Sequence, residues 1–225
     1  MTGFDNSNVN GENGMIWKLA RPAPDEINEY KEHQAQRDKV YLDHGIDKKG
    51  MAKFLIDAVE PFSEPVLDLG TGQGLTAIEI ASRGPSVVTV DISEKYLHEA
   101  HLNAVAAGVD SKLEFHIVNN RTLPFEDDSF NLVTLVNVLH HLDDPDAVLP
   151  EISRVLRSGG KLLVSDFTEA GFDILDRLHG EEGRVHKKNT EETVDTLERK
   201  LADFGLQCKS RDSRFHQYLM IAEKS

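Results

Sequence analysis

The chain has 225 residues, 39% of them hydrophobic, enough for one domain with an ordinary core and a small appended cap. Against 25 Lys and Arg stand 39 Asp and Glu, a formal charge of −14 that argues against nucleic-acid partners, whose phosphates reward basic surfaces. The single cysteine, Cys208, excludes an internal disulfide framework, and no apolar run reaches a membrane span or a signal pattern. The expected setting is cytoplasmic, without integral membrane association.

Residues 1–14 are rich in Asn and Gly and are expected to form a disordered tail. Met15-Ile16-Trp17-Lys18-Leu19 is apolar enough to dock on the body or on a second copy, which leaves a homodimer open. Asp25 to Leu42 reads as a charged helix with Ile27, Tyr30 and Val40 as its few anchors; a solvated surface helix is its plain reading. Lys48 to Val59 predicts a helix with Met51, Phe54, Leu55 and Ala58 inward.

Val66-Leu67-Asp68-Leu69-Gly70-Thr71-Gly72-Gln73-Gly74 is the most informative stretch. Apolar strand formers run into a glycine-rich turn, and a helix follows with Leu75, Ile78 and Ser82 along one face. Glycines at 70, 72 and 74 let backbone N–H groups approach a ligand, and the helix N-terminus adds a positive dipole end. A dinucleotide fingerprint wants G-x-G-x-x-G, but the third glycine falls one residue early, at Gly74. Asp68 would repel a pyrophosphate and suits a ligand carrying an ammonium group. The loop therefore favours S-adenosylmethionine (SAM), a nucleoside bearing a cationic amino acid, over NAD.

A second strand, Ser86 to Val90, ends in Asp91-Ile92, where a carboxylate can accept both ribose hydroxyls. Ser93 caps a helix with Leu97, Ala100, Ala104 and Ala107 on one face, stopped by Gly108. Lys112 to Val118, Phe130 to Val136 and Lys161 to Phe167 are the next strands, the last launched by Ser158-Gly159-Gly160. Pro150 predicts a kink or a late start in the helix after Asp144-Pro145. A helix from Thr190 to Phe204 precedes two strands, Leu206 to Ser210 and Phe215 to Ala222, expected to pair antiparallel. Alternating strands and helices imply an α/β, Rossmann-like, doubly wound and mainly parallel sheet, with ligands at its carboxyl edge.

VLDLGTGQG, the acid in VVTVDIS, LPFEDDSFNLV, NVLHHL and EISRVLRSGGKLLVSDF, in that order over roughly Asp47 to Phe167, resemble the class I SAM-dependent methyltransferases. The closest likeness is to the small-molecule branch that includes the ubiquinone/menaquinone biosynthesis (UbiE-like, methyltransferase type 11) enzymes. The resemblance implies a seven-stranded sheet with an antiparallel last strand and a methyltransferase domain over residues 48–225. It implies an N-terminal helical lid at 15–47 and an acceptor-site insertion at 168–190. The implied reaction is methyl transfer from SAM to a small-molecule acceptor by in-line displacement, releasing S-adenosyl-L-homocysteine. The chain departs from the family at Thr71, where Cys is common, and at Asn119, where an Asp usually accepts from the adenine amino group.

The cofactor residues expected from the loop and the resemblance are Asp68, Gly70, Thr71, Gly72, Gly74, Asp91, Ile92, Asn119, Asn120 and Asn137. In Asn137-Val138-Leu139-His140-His141, Asn137 is placed near the cofactor amine. His141 is expected to orient or deprotonate the acceptor, while one histidine packing under the loop is the plain alternative. Asp166 could polarise the acceptor or cap the next helix. His179, Glu182 and His186 are acceptor-pocket candidates; their spacing would also permit a metal, but Gly180 and Gly183 argue for a loop and no metal is assigned. Two rivals remain: a SAM-binding protein without catalysis, and a NAD-dependent oxidoreductase.

Overall fold

The computed structural model describes residues 14–17, 19–118, 122–142, 144–181 and 194–225. Its strands are β1 (Gly14–Ile16), β2 (Val66–Leu69), β3 (Val87–Asp91), β4 (Leu113–Val118), β5 (Phe130–Val136), β6 (Leu156–Phe167), β7 (Leu206–Arg214) and β8 (Gln217–Lys224). They form one sheet in the order β1-β4-β3-β2-β5-β6-β8-β7. β4, β3, β2, β5 and β6 run parallel, and β8 is antiparallel to both β6 and β7. The seven expected strands and the antiparallel last one are present. An eighth, β1, pairs antiparallel with β4, so Met15 and Ile16 dock on the body of their own chain.

The helices are α1 (Pro24–Asp43), α2 (Lys48–Val59), α3 (Leu75–Ser82), α4 (Glu94–Ala107), α5 (Pro145–Val155), α6 (Glu169–Glu181) and α7 (Val194–Asp203). Asp47 caps α2 by accepting from Gly50 N at 2.9 Å, and α4 ends at Gly108 with φ +72°. α5 starts at Pro145 and runs through Pro150, so the late start expected there is corrected. Pro150 sits in the second turn, where it removes a single intrahelical bond, and Leu149 and Ile152 on either side are fully buried.

Strand alternation splits the core into two layers. Leu67, Leu69, Val133, Leu135, Leu162 and Val164 face α5 and α7, whereas Val66, Val87, Leu132 and Leu163 face α2, α3 and α4. A third cluster joins Tyr41, Ile46 and Met51 to Phe167, Ile174, Leu175 and Leu178, fastening the end of α1 and the start of α2 to α6. α6 also corrects the expectation of a loop at Gly180, because Ile174, Leu175 and Leu178 supply the apolar stripe that holds the helix down. All four loops that matter for a ligand, after β2, β3, β5 and β6, emerge at the same carboxyl edge.

Candidate functional site

The loop after β2 is built by tight packing. Gly70, Gly72 and Gly74 have φ of +79°, +49° and +76°. A Cβ on Gly70 would stand 2.3 Å from Val138 Cγ2, and one on Gly74 would stand 2.9 Å from Ala100 Cβ. Gly72 differs: its nearest neighbour would be Gly70 O at 3.9 Å, so its outer face is open. Four loop amides are spent inside the protein. Gly70 N and Thr71 N donate to Val90 O at 2.9 and 3.0 Å, Gly72 N to Asp91 Oδ2 at 3.0 Å, and Gly74 N to Thr71 O at 2.7 Å. The expectation that these N–H groups serve the ligand directly is thereby corrected; the curled loop needs them to close on β3.

Asp68 lies beneath this loop, 2% exposed. In register, Thr89 and Thr134 flank it on the neighbouring strands. Thr134 Oγ1 donates to Asp68 Oδ1 at 2.6 Å and Thr89 Oγ1 to Oδ2 at 3.0 Å. Thr71 Oγ1 stands 2.7 Å from Thr89 Oγ1, which extends the row into the loop. Burial outweighs these hydroxyl bonds and pushes the Asp68 carboxyl up to about 6. Asp68 thus ties the loop to three strands, with both oxygens engaged by hydroxyls.

Asp91 closes β3. Its Oδ2 receives Gly72 N and its Oδ1 receives Ser93 N at 2.9 Å. Burial raises its pKa, opposed by bonds from the Gly72, Ser93 and Ile92 amides. Beside it Ile92 is 59% exposed and Tyr96 47%, an apolar platform at the edge. Asn119 and Asn120 lie outside the described residues.

Beyond β5 the chain turns through Asn137, whose φ of +57° is costly for a residue with a side chain. Asn137 N donates to Ser165 O at 2.8 Å, and buried Gln217 donates through Nε2 to Asn137 Oδ1 at 2.5 Å. The expected contact of Asn137 with a cofactor amine therefore competes with Gln217. One turn of 3-10 helix, Leu139–His141, follows. Here the two histidines divide: His141 is exposed, and His140 is 6% exposed. His140 Nδ1 stands 2.6 Å from Asp166 Oδ1, and His140 N donates to Asp166 Oδ2 at 3.1 Å. Asp166 Oδ1 also accepts from Phe167 N at 2.8 Å, and Phe172 meets the His140 ring edge-on at 5.2 Å. Asp166 thus orients His140 rather than capping α6. The sequence singles out His141, and the structure sets His140 against Asp166, since adjacent strand ends in a parallel sheet place the residues after β5 beside those ending β6.

His179 sits on α6 with Nε2 3.3 Å from Tyr41 Oη on α1. Glu182 and His186 lie outside the described residues, so the three-residue acceptor cluster, and any metal held by it, is not assembled here. α1 also reaches the glycine loop. Gln34 and Gln73 exchange carboxamide bonds, Gln73 Nε2 to Gln34 Oε1 at 2.9 Å and Gln34 Nε2 to Gln73 Oε1 at 3.2 Å. Gln34 and Tyr41 are the buried residues of α1, two turns apart on one face.

Residues 67–164 match the family model for a methyltransferase domain. The 27-O-demethylrifamycin SV methyltransferase of Amycolatopsis mediterranei is 39% identical over 103 residues, 45% of this chain and 38% of that protein. The ubiquinone/menaquinone biosynthesis C-methyltransferase UbiE of Brucella canis is 31% identical over 141 residues, 61% of this chain and 52% of that protein. The match thus spans about half or less of these relatives' own length. A SAM-dependent methyltransferase from Methanosarcina mazei superposes with a TM-score of 0.61 at 22% identity, covering 76% of this chain and 96% of that one, which shows the shared fold. Residues 67–164 thus match a methyltransferase-domain family, and the sheet order around them is that of the methyltransferase fold.

Proposed function

We propose that the chain transfers a methyl group from SAM to a hydroxyl group of a small-molecule acceptor. The observation that carries the cofactor half of this reading is the state of the glycine loop. Its amides at 70, 71, 72 and 74 are bonded within the protein, so they make a poor cradle for a pyrophosphate, which needs several N–H donors at once. What the edge offers instead is an acceptor, Asp91, an open face at Gly72, and the apolar surface of Ile92. These suit a nucleoside with ribose hydroxyls and no phosphate. SAM supplies a methyl group on a sulfonium, which leaves as a neutral thioether without help from an acid.

The protein's share of the chemistry is alignment and one proton. Asp166, held by Phe167 N, fixes His140 in orientation and favours the tautomer with the proton on Nδ1. Nε2 is then the basic atom that would take the acceptor proton. A buried base of this kind is useful for a hydroxyl acceptor, whose oxygen becomes a good nucleophile only as it loses its proton. Phe167 and Phe172 beside the ring keep water from competing. α1 serves as the lid, clasped to the cofactor loop by Gln34 and to the acceptor side by Tyr41. Acidic charge and the absence of any helix long and apolar enough to cross a membrane, among the described residues, agree with a dissolved small acceptor.

The test is a panel of small hydroxylated metabolites incubated with methyl-labelled SAM and read by mass spectrometry. The expected result is label on an acceptor oxygen together with S-adenosylhomocysteine. In parallel, S-adenosylhomocysteine should raise the melting temperature and NAD should not. A thermal shift with NAD alone overturns the cofactor assignment.

A further inference from the structure

Ile16, Trp17, Leu19 and Arg21, ahead of α1, border an open cavity along β4 and α4. Its volume is about 310 Å³, in the lower range of small-molecule pockets. Leu113 and Phe115 of β4 also line it, and Trp17 N donates to Phe115 O at 2.8 Å. These β4 residues stand three to five positions before Val118, the end of the strand. Asp91 is in register with Ile117, so at ~3.3 Å per residue they lie roughly 7–13 Å below Asp91 along the strands.

Three polar groups of this cavity lack protein partners. His101 on α4 is 7% exposed, and its Nδ1 is the buried side-chain nitrogen left without a hydrogen bond among the described residues. Burial lowers the pKa of this imidazole, which keeps the ring neutral and one nitrogen free to accept. Arg21 and Asp110 carry opposite charges and line the same cavity. Neither forms an ion pair or side-chain hydrogen bond among the described residues. Glu114, by contrast, is already 2.5 Å from His116 Nε2.

A buried nitrogen left unsatisfied is unfavourable until something supplies its partner. An unpaired cation and anion on one cavity suit a ligand that carries both charges. His101 and Phe115 meet edge to face at 5.7 Å, and Trp17, bonded to Phe115 through its backbone, adds a third ring to the lining. We propose that this cavity binds a free aromatic amino acid whose ring bears a hydrogen-bond donor. Its carboxylate pairs with Arg21, its ammonium with Asp110, and its ring packs against Trp17. The ring O–H or N–H donates to His101 Nδ1. This site is separate from the methyl-transfer edge and does not depend on the function proposed above.

Trp17 is the one tryptophan of the chain, so its fluorescence reads the cavity directly. The full chain is titrated with L-tyrosine and with L-phenylalanine, excited where tyrosine does not absorb, with and without saturating S-adenosylhomocysteine. The expected result is a saturable change with L-tyrosine that S-adenosylhomocysteine does not displace. L-phenylalanine, lacking the donor, should bind at least about tenfold more weakly. His101→Phe should erase that preference, and Arg21→Met, at the exposed rim where folding is not at stake, should weaken L-tyrosine at least about tenfold. No saturable change, equal binding of the two amino acids, displacement by S-adenosylhomocysteine, or unaltered binding in Arg21→Met each overturns the proposal.

Discussion

Asp166 grips His140 twice, through the ring at 2.6 Å and through the backbone amide at 3.1 Å, with both side chains almost fully buried. One carboxylate therefore fixes both the position of the turn after β5 and the rotation of the imidazole it carries. A base held in this way needs no rearrangement when an acceptor arrives.

If His140 takes the acceptor proton, His140→Ala should lower kcat by about 10²–10⁴-fold while S-adenosylhomocysteine affinity stays within about twofold. Asp166→Asn should lose most of the same factor, because the amide cannot impose the tautomer. His141→Ala, at an exposed position, should change kcat little. Steady-state kinetics and calorimetry separate these outcomes, and a silent His140→Ala would remove the base from the mechanism.

Asp91→Ala deletes the proposed acceptor for ribose hydroxyls and also frees Gly72 N and Ser93 N. Cofactor binding should weaken by about 1.5–3 kcal/mol, since hydrogen bonds to a charged group are lost. Calorimetry on a folded variant with unchanged affinity would dismiss the assignment.

The contrast between Gly70 and Gly72 separates folding from binding. Gly70→Ala drives a methyl into Val138 and should destabilise the protein strongly, with a lowered urea midpoint. Gly72→Ala meets only open space and should cost about 1–2 kcal/mol from its left-handed backbone. That variant should fold yet bind S-adenosylhomocysteine at least about tenfold more weakly, because its methyl group points into the cofactor's place. Equal affinity in Gly72→Ala would show that the open face is not the cofactor face.

Asp68 gives a signed pH dependence. Its folded pKa, about 6, lies above the ordinary carboxylate value. Between those two values the folded protein holds a proton that the unfolded chain releases. This group's contribution to stability therefore falls as pH rises through that window, by about 3 kcal/mol in all, and stays low above it. Asp68→Asn removes the titration. The stability difference, variant minus wild type, should grow from acid to neutral pH in urea unfolding, and a difference independent of pH would contradict the buried-charge account.

Gln34→Ala removes both carboxamide bonds between α1 and the glycine loop. If α1 is the lid, S-adenosylhomocysteine should dissociate about 5- to 10-fold faster in stopped flow, as expected for about 1 kcal/mol of lost bonding. An unchanged off-rate would leave α1 as a plain surface helix.

The sheet, its winding and the glycine loop were legible in the sequence because they rest on local rules. Apolar runs of four to seven residues mark buried parallel strands, and Ser93 and Gly108 punctuate a helix by capping chemistry that acts within a turn. Asp91 was legible too, since its place at a strand end follows from counting along the chain. What only the tertiary structure decided are contacts between residues far apart in sequence. His140 and not His141 faces Asp166, because the 3-10 turn after Asn137 sends the first ring inward, and no periodicity encodes that choice. Gln34 meets Gln73, and Gln217 holds Asn137, across 39 and 80 residues. The hydrogen bonding of Asp68 was hidden for the same reason: its sequence neighbours are apolar, but the strands on either side bring two threonine hydroxyls to its oxygens. Composition gave no sign of the buried His101 nitrogen that has no hydrogen bond among the described residues, beside the Phe115 ring.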